Sequence, residues 1–102
     1  MAKLLVLYKT PTDAEAFDAY YADRHAPLVK AIPGLVGYET STGPVIGPQG
    51  VGEVYCIAQM SFDSLAALQE ALSTPEGQAA ASDIANFATG GAELLMFETG
   101  AP

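Results

Sequence analysis

Positive charge is scarce in this sequence, and what there is comes early. The 102 residues carry four Lys and Arg against twelve Asp and Glu, a formal net charge of −8. Lys3, Lys9, Arg24 and Lys30 all fall in residues 1–30, where four acids balance them; residues 31–102 hold eight acids and no base. Nucleic-acid affinity depends on Lys and Arg displacing counterions, so DNA and RNA are excluded as expected partners. An anionic membrane surface is disfavoured for the same reason. Long apolar runs are missing too. The longest, Leu4–Tyr8 and Val54–Ala58, have five residues, against the roughly 20 needed for a membrane span. Only Lys3 precedes the first run and no small-residue cleavage site follows, which argues against a secretory leader. The single cysteine, Cys56, can form neither an internal disulfide nor a metal cluster, and no base near it in sequence would activate the thiol. A cytoplasmic chain is expected. No zinc spacing, phosphate-binding glycine motif or nucleotide fingerprint occurs. No metal or cofactor is expected; a lone histidine could ligate haem iron, but nothing else supports haem.

Half of the residues are hydrophobic, enough for one folded domain over residues 1–102. Lys3–Lys9 reads as a strand. Asp13 is placed to cap a helix from Ala14, with Glu15 in its first turn. Phe17, Tyr21, His25, Leu28 and Ile32 then follow at helical spacing and define one apolar face. Pro27 interrupts it: the ring has no N–H for the carbonyl of Asp23, so a kink or break is expected between Asp23 and Leu28, with His25 at the irregular point. Pro33-Gly34 closes the element. Leu35–Thr42 reads as a second strand, residues 43–52 as a Gly/Pro-rich loop, and Glu53–Met60 as a third strand. Asp63 or Ser61 is placed to cap a short helix with Leu65, Leu68 and Leu72 inward. Thr74-Pro75-Glu76 opens another helix, with Ala80, Ile84 and Phe87 on its apolar side and Gly90-Gly91 beyond its end. Glu93–Glu98 is the last strand. The order is βαββαβ, an α+β ferredoxin-like topology with a four-stranded antiparallel sheet and all helices on one face.

The strands do not alternate as a half-solvated sheet should. Leu4, Val6 and Tyr8 oppose Leu5 and Leu7; Leu94 and Met96 oppose Leu95 and Phe97. Helices can cover one face only. The other would expose more apolar surface than monomers usually tolerate, and covering it is worth more than about 5 kcal/mol before association costs. A homodimer packed sheet on sheet about a two-fold axis is expected. The competing expectation is a monomer whose 43–52 loop folds under the sheet.

Phe17, Tyr20-Tyr21, His25-Ala-Pro27-Leu28, Ile32-Pro-Gly-Leu35 and Tyr38-Glu39, with the later Thr-Pro-Glu-Gly and Asp83-Ile-Ala-Asn86-Phe87, resemble the EthD family, named for ethyl tert-butyl ether degradation. The Tyr-Tyr-x-x-x-His-x-Pro-Leu block is the most specific part. The resemblance implies a dimeric α+β barrel and says little about chemistry, since most members have no assigned reaction. In related isomerases a histidine at the end of the first helix does acid–base work between helices and sheet, and His25 matches that position.

His25, the only histidine, is thus the candidate catalytic residue, able to titrate near neutrality and pass a proton to a small ligand; the structural alternative is a capping role at the helix break. Tyr21 points inward by phase and could bind ligand or His25, whereas Tyr20 falls on the flank; either could be plain aromatic packing. Arg24 could take a ligand carboxylate or pair with a neighbouring acid. Tyr8 and Tyr38 are sheet aromatics that line the space under the helices or face a partner. Two functions follow from different classes: an enzyme performing isomerisation, cyclisation or cofactor-free oxygenation on a small hydrophobic organic compound, or a non-catalytic accessory or stress protein binding such a compound. The first calls for a cleft of about 300 Å³ or more beside His25.

Overall fold

The computed structural model describes residues 1–102. Its main sheet is built from β1 (Ala2–Lys9), β2 (Gly37–Thr40), β5 (Val54–Phe62) and β6 (Ala92–Glu98). The spatial order is β2-β5-β1-β6 with every neighbouring pair antiparallel. A separate two-residue ribbon, β3 (Ile46–Gly47) with β4 (Gly50–Val51), lies inside the expected loop. The helices are α1 (Ala14–Tyr20), a π-helical turn (Tyr21–His25), α2 (Ala26–Lys30), α3 (Leu65–Ser73) and α4 (Pro75–Phe87). This is the expected α+β ferredoxin-like arrangement.

The alternation along β1 sets the layers. Ala2, Leu4, Val6 and Tyr8 are buried, while Lys3, Leu5, Leu7 and Lys9 are half-buried on the opposite face. The buried set joins Ala58, Met60 and Phe62 of β5 and Phe17, Val29, Leu68, Ala80 and Phe87 of the helices in one core. On the other face Leu5 stands between Gln59 and Leu95, and Leu7 between Ile57 and Glu93. Leu95 and Phe97 remain 46% and 41% exposed. The 43–52 segment does not fold under this face; Gly43, Pro44, Val45 and Val51 instead wall a groove with Asp18 and Tyr55. Tyr55 donates to Asp18 on α1 at 2.8 Å.

Capping follows the sequence at α1 and α4, where Asp13 accepts from Ala16 N and Thr74 from Gly77 N. It departs at α3. The cap is Ser64, whose hydroxyl accepts from Ala67 N at 3.0 Å, rather than Asp63 or Ser61. β5 continues past Met60 to Phe62, so Ser61 is committed to the sheet, where Lys3 Nζ donates to its hydroxyl at 2.7 Å. β2 is shorter than Leu35–Thr42, although Val36 N and Ser41 N extend the pairing by donating to Ser61 O and Ile57 O.

Pro27 does not break the first helix. Backbone angles stay right-handed helical through His25 and Ala26, and Ala26 N donates to Tyr21 O, five residues back. The irregularity is taken up as the π turn, with Pro27 in the first turn of α2. Such a turn holds one extra residue, so the helix beyond it is rotated relative to the helix before.

The α3–α4 corner is the tightest packing in the chain. A Cβ on Gly77 would stand 2.1 Å from Ala71 O and 2.8 Å from Leu72 Cα. Backbone cannot yield as a side-chain tip can. Gly77→Ala is therefore expected to cost about 2–3 kcal/mol despite the better helix propensity of alanine, measured by urea unfolding; an unchanged midpoint would show that the corner is soft.

Candidate functional site

The π turn brings Tyr20, Tyr21 and His25 onto one side of the first helix. His25 is 3% exposed, and its ring packs at 4.7 Å from Phe87 and 5.1 Å from Tyr21. Its Nδ1 lies 2.9 Å from Oδ2 of Asp83 on α4. Asp83 is also buried, and its other oxygen accepts from Tyr20 Oη at 2.6 Å and Asn86 Nδ2 at 3.0 Å. On the far side of the ring, Nε2 is 3.5 Å from the Tyr8 hydroxyl. Tyr21 and Tyr38 share a hydroxyl–hydroxyl bond of 2.6 Å, and the Tyr21 hydroxyl also bonds that of Tyr8. Six side chains from two helical segments and two strands thus form one buried hydrogen-bonded cluster, and no buried side-chain nitrogen or oxygen lacks a partner.

The protonation states follow from these partners. Burial raises the Asp83 pKa, but the donors Tyr20, Asn86 and His25 outweigh it and hold the carboxyl below its ordinary 3.8. Burial pulls the His25 imidazole below 6.5, opposed by the bond to Asp83 and its charge. Near neutral pH the pair is therefore a carboxylate and a neutral imidazole. A carboxylate only accepts, so Nδ1 carries the ring proton and Nε2 keeps its lone pair toward Tyr8. Burial raises the Tyr8 and Tyr38 hydroxyls well above the ordinary phenol range, and raises Tyr21 further with the help of its bond to Tyr38. All three phenols remain protonated.

Two spaces adjoin this cluster. The inner one is an apolar cavity of about 50 Å³ bounded by Tyr8, His25, Val29, Ala80, Ile84 and Leu94 among others. This is far smaller than the cleft that a bound organic compound requires, because Leu72, Ile84 and Met60 close in on it. The second is an outer cleft of about 370 Å³ lined by Tyr21, Ala22, Ala26, Lys30, Tyr38 and Thr40.

Of the residues singled out in the sequence, His25, Tyr8, Tyr20, Tyr21 and Tyr38 come together. Tyr20 does so against its helical phase: the wider turn lets its hydroxyl reach Asp83. Arg24 does not join them. It is exposed and forms no ion pair, so neither the ligand role nor the pairing expected for it has a counterpart here. Cys56 is half-buried and its thiol pKa is raised by burial, consistent with an inert side chain. Asp83 went unrecognised because a carboxylate 58 positions along the chain from His25 has no spacing rule to link them. A signal did exist: Asp83 falls in the Ala80–Ile84–Phe87 stripe, where an acid must find donors.

The EthD domain family matches residues 9–91. The chain belongs to the EthD family. An uncharacterised 11.0 kDa protein from the thcB–thcC intergenic region of Rhodococcus erythropolis is 38% identical over 97 residues, spanning 94% of this chain and 92% of the relative. An EthD-family protein of Bacillus halodurans superposes with a TM-score of 0.89 at 37% identity, covering 98% of this chain and 99% of the other. A dimeric ferredoxin-like protein of unknown function from Thermobifida fusca superposes at 0.71 with 16% identity, over 96% of this chain and 90% of the other, and shares the fold alone. No helix of this EthD protein is long and apolar enough to cross a membrane.

The electrostatics give a directional expectation. The folded chain resists protonating His25, while the unfolded chain takes up that proton near pH 6.5. Stability is therefore expected to fall as pH is lowered through 6.5 toward the folded-state pKa. The Asp83 contribution, present above 3.8, is lost later, as pH falls through its own depressed value. With one histidine in the chain, imidazole proton NMR reads the titration without ambiguity and urea unfolding reads the stability. A His25 midpoint above 6.5 would contradict the assignment of a neutral ring.

Proposed function

We propose that this EthD protein is a homodimer that performs acid–base chemistry on a small hydrophobic organic compound, with His25 as the group that takes and returns the proton. The observation that carries the reading is the His25–Asp83 pair. A buried imidazole fixed in one tautomer at Nδ1 presents Nε2 as a base, and the carboxylate stabilises the imidazolium formed when a proton arrives. Isomerisation, cyclisation and cofactor-free oxygenation all need such a base, and none needs more from the chain. Tyr8 stands at Nε2 and holds the ring plane; Tyr20 and Asn86 keep Asp83 ionised. The 3.5 Å Tyr8–His25 contact is long, as catalytic hydrogen bonds commonly are before ligand binds.

The dimer reading rests on the uncovered sheet face, where Leu5, Leu7, Ile57, Leu95 and Phe97 gather with few charges between them. A second copy meeting it about a two-fold axis buries the same residues twice. The dimeric state of the Thermobifida fusca neighbour supports the same arrangement. A protein that merely binds a hydrophobic compound is favoured by one observation, the small volume of the inner cavity, about 50 Å³.

Native mass spectrometry of the purified protein is expected to give a two-subunit species. A Leu7→Glu/Leu95→Glu double variant is expected to sediment as a folded monomer; a dimer that survives both charges would move the interface elsewhere. For the chemistry, ligand recovered with the protein should exchange its acidic hydrogen for deuterium at least about 100-fold more slowly with His25→Gln than with the native chain. Equal rates would leave a binding protein without acid–base activity.

A further inference from the structure

The base and the space large enough for a ligand do not coincide. Nε2 of His25 faces a cavity of about 50 Å³, whereas the outer cleft holds about 370 Å³. Only the cleft reaches the volume usual for an organic ligand. What separates them is one layer of tyrosines, and their hydroxyls are joined. Tyr38 and Tyr21 both line the cleft and bond each other at 2.6 Å; Tyr21 meets Tyr8, and Tyr8 meets Nε2.

The cleft also has a chemical character. Ala22, Ala26 and Lys30 recur every fourth residue along the helix, so two methyl groups form a flat floor with an ammonium at its end. Tyr38 and Thr40 face it from β2. Lys30 forms no ion pair. The other lysines are occupied, Lys3 with Ser61 and Lys9 with Glu53, and Glu39 on β2 points to the opposite face from Tyr38 and Thr40. In a chain of net charge −8, this is a pocket that favours an anion.

We infer that the outer cleft is the ligand site, that it takes a planar phenol or enol with its oxygen toward Lys30, and that Tyr38, Tyr21 and Tyr8 pass the ligand's proton to His25. This rests on the acid–base reading of His25. The transfer conserves every group it crosses. The ligand O–H gives its proton to the Tyr38 oxygen, and Tyr38 passes its own to Tyr21. Tyr21 passes one to Tyr8, and Tyr8 passes one to Nε2. Three neutral phenols remain, no electron changes hands, and the products are a ligand oxyanion beside Lys30 and an imidazolium beside Asp83. Because burial disfavours each tyrosinate, the protons move in concert rather than through a charged tyrosine. Reversal returns a proton to the rearranged ligand.

The probe is 4-nitrophenol, whose visible absorbance reports its ionisation, titrated into 15N-labelled protein. Binding is expected to shift the amides of Ala22, Ala26 and Thr40, to increase the phenolate fraction over that in free solution, and to move the His25 ring nitrogens toward the imidazolium pattern. Lys30→Met should weaken binding by about tenfold or more and abolish the excess phenolate. Tyr38→Phe should bind within about threefold yet leave His25 neutral, and Tyr21→Phe, which breaks the chain one step further in, should do the same. No saturable binding up to about 10 mM, shifts at Ala81 and Leu94 instead, or affinity indifferent to Lys30→Met would overturn the cleft while leaving the acid–base reading to its own deuterium-exchange test. Cleft binding that leaves native His25 unchanged would overturn the relay and count against the acid–base reading as well.

Discussion

A carboxylate can sit beneath the helices of a small domain only if donors surround it, and Asp83 has three. Tyr20, Asn86 and His25 converge on its two oxygens. That convergence explains much of the surrounding geometry. Tyr20 and His25 both have to point inward from one short stretch of helix, and an unbroken α-helix separates positions 20 and 25 by too large an angle to allow it. The π turn resolves the conflict, and the proline two residues after His25 suits it, because a chain already departing from regular helical bonding loses less by lacking an N–H. Electrostatics, backbone irregularity and the orientation of the imidazole are consequences of one buried charge.

The same charge separates two roles within an otherwise apolar interior. Phe17, Phe87 and Tyr8 pack edge to face around it and exclude water. Exclusion pulls the imidazole toward neutrality, and the carboxylate prevents it from being driven too far. The balance leaves a base of moderate strength in a dry setting, where each hydrogen bond is stronger than it would be at the surface.

Much of this was legible in the sequence, for reasons that can be traced. Strand and helix order followed from apolar periodicity and from Asp13, Thr74 and Pro75, whose side chains act on backbone within a turn. The bare sheet face followed from Leu5, Leu7, Leu95 and Phe97 lying opposite an equally apolar set. Local rules failed where the deciding partner was distant. Ser61 looked free to cap α3, but its hydroxyl is held by Lys3 across the sheet. Tyr20 looked peripheral until the turn beneath it widened. Asp83 could be paired with His25 only once α4 had been laid against the first helix. The size of the inner cavity depends on how far Leu72, Ile84 and Met60 close over the ring, which residue type alone does not determine.

Gly77 touches none of these groups, yet it governs where they sit. Its missing side chain lets α4 begin directly against the backbone of Ala71 and Leu72. From that fixed point six residues of helix, about 9 Å of rise, lead to Asp83. The helix acts as a rigid rod pinned at one end, so the reach of the carboxylate toward the imidazole is metered by a residue with no polar side chain and no part in proton transfer. Tolerances at a reactive centre can be written into a distant corner of a fold.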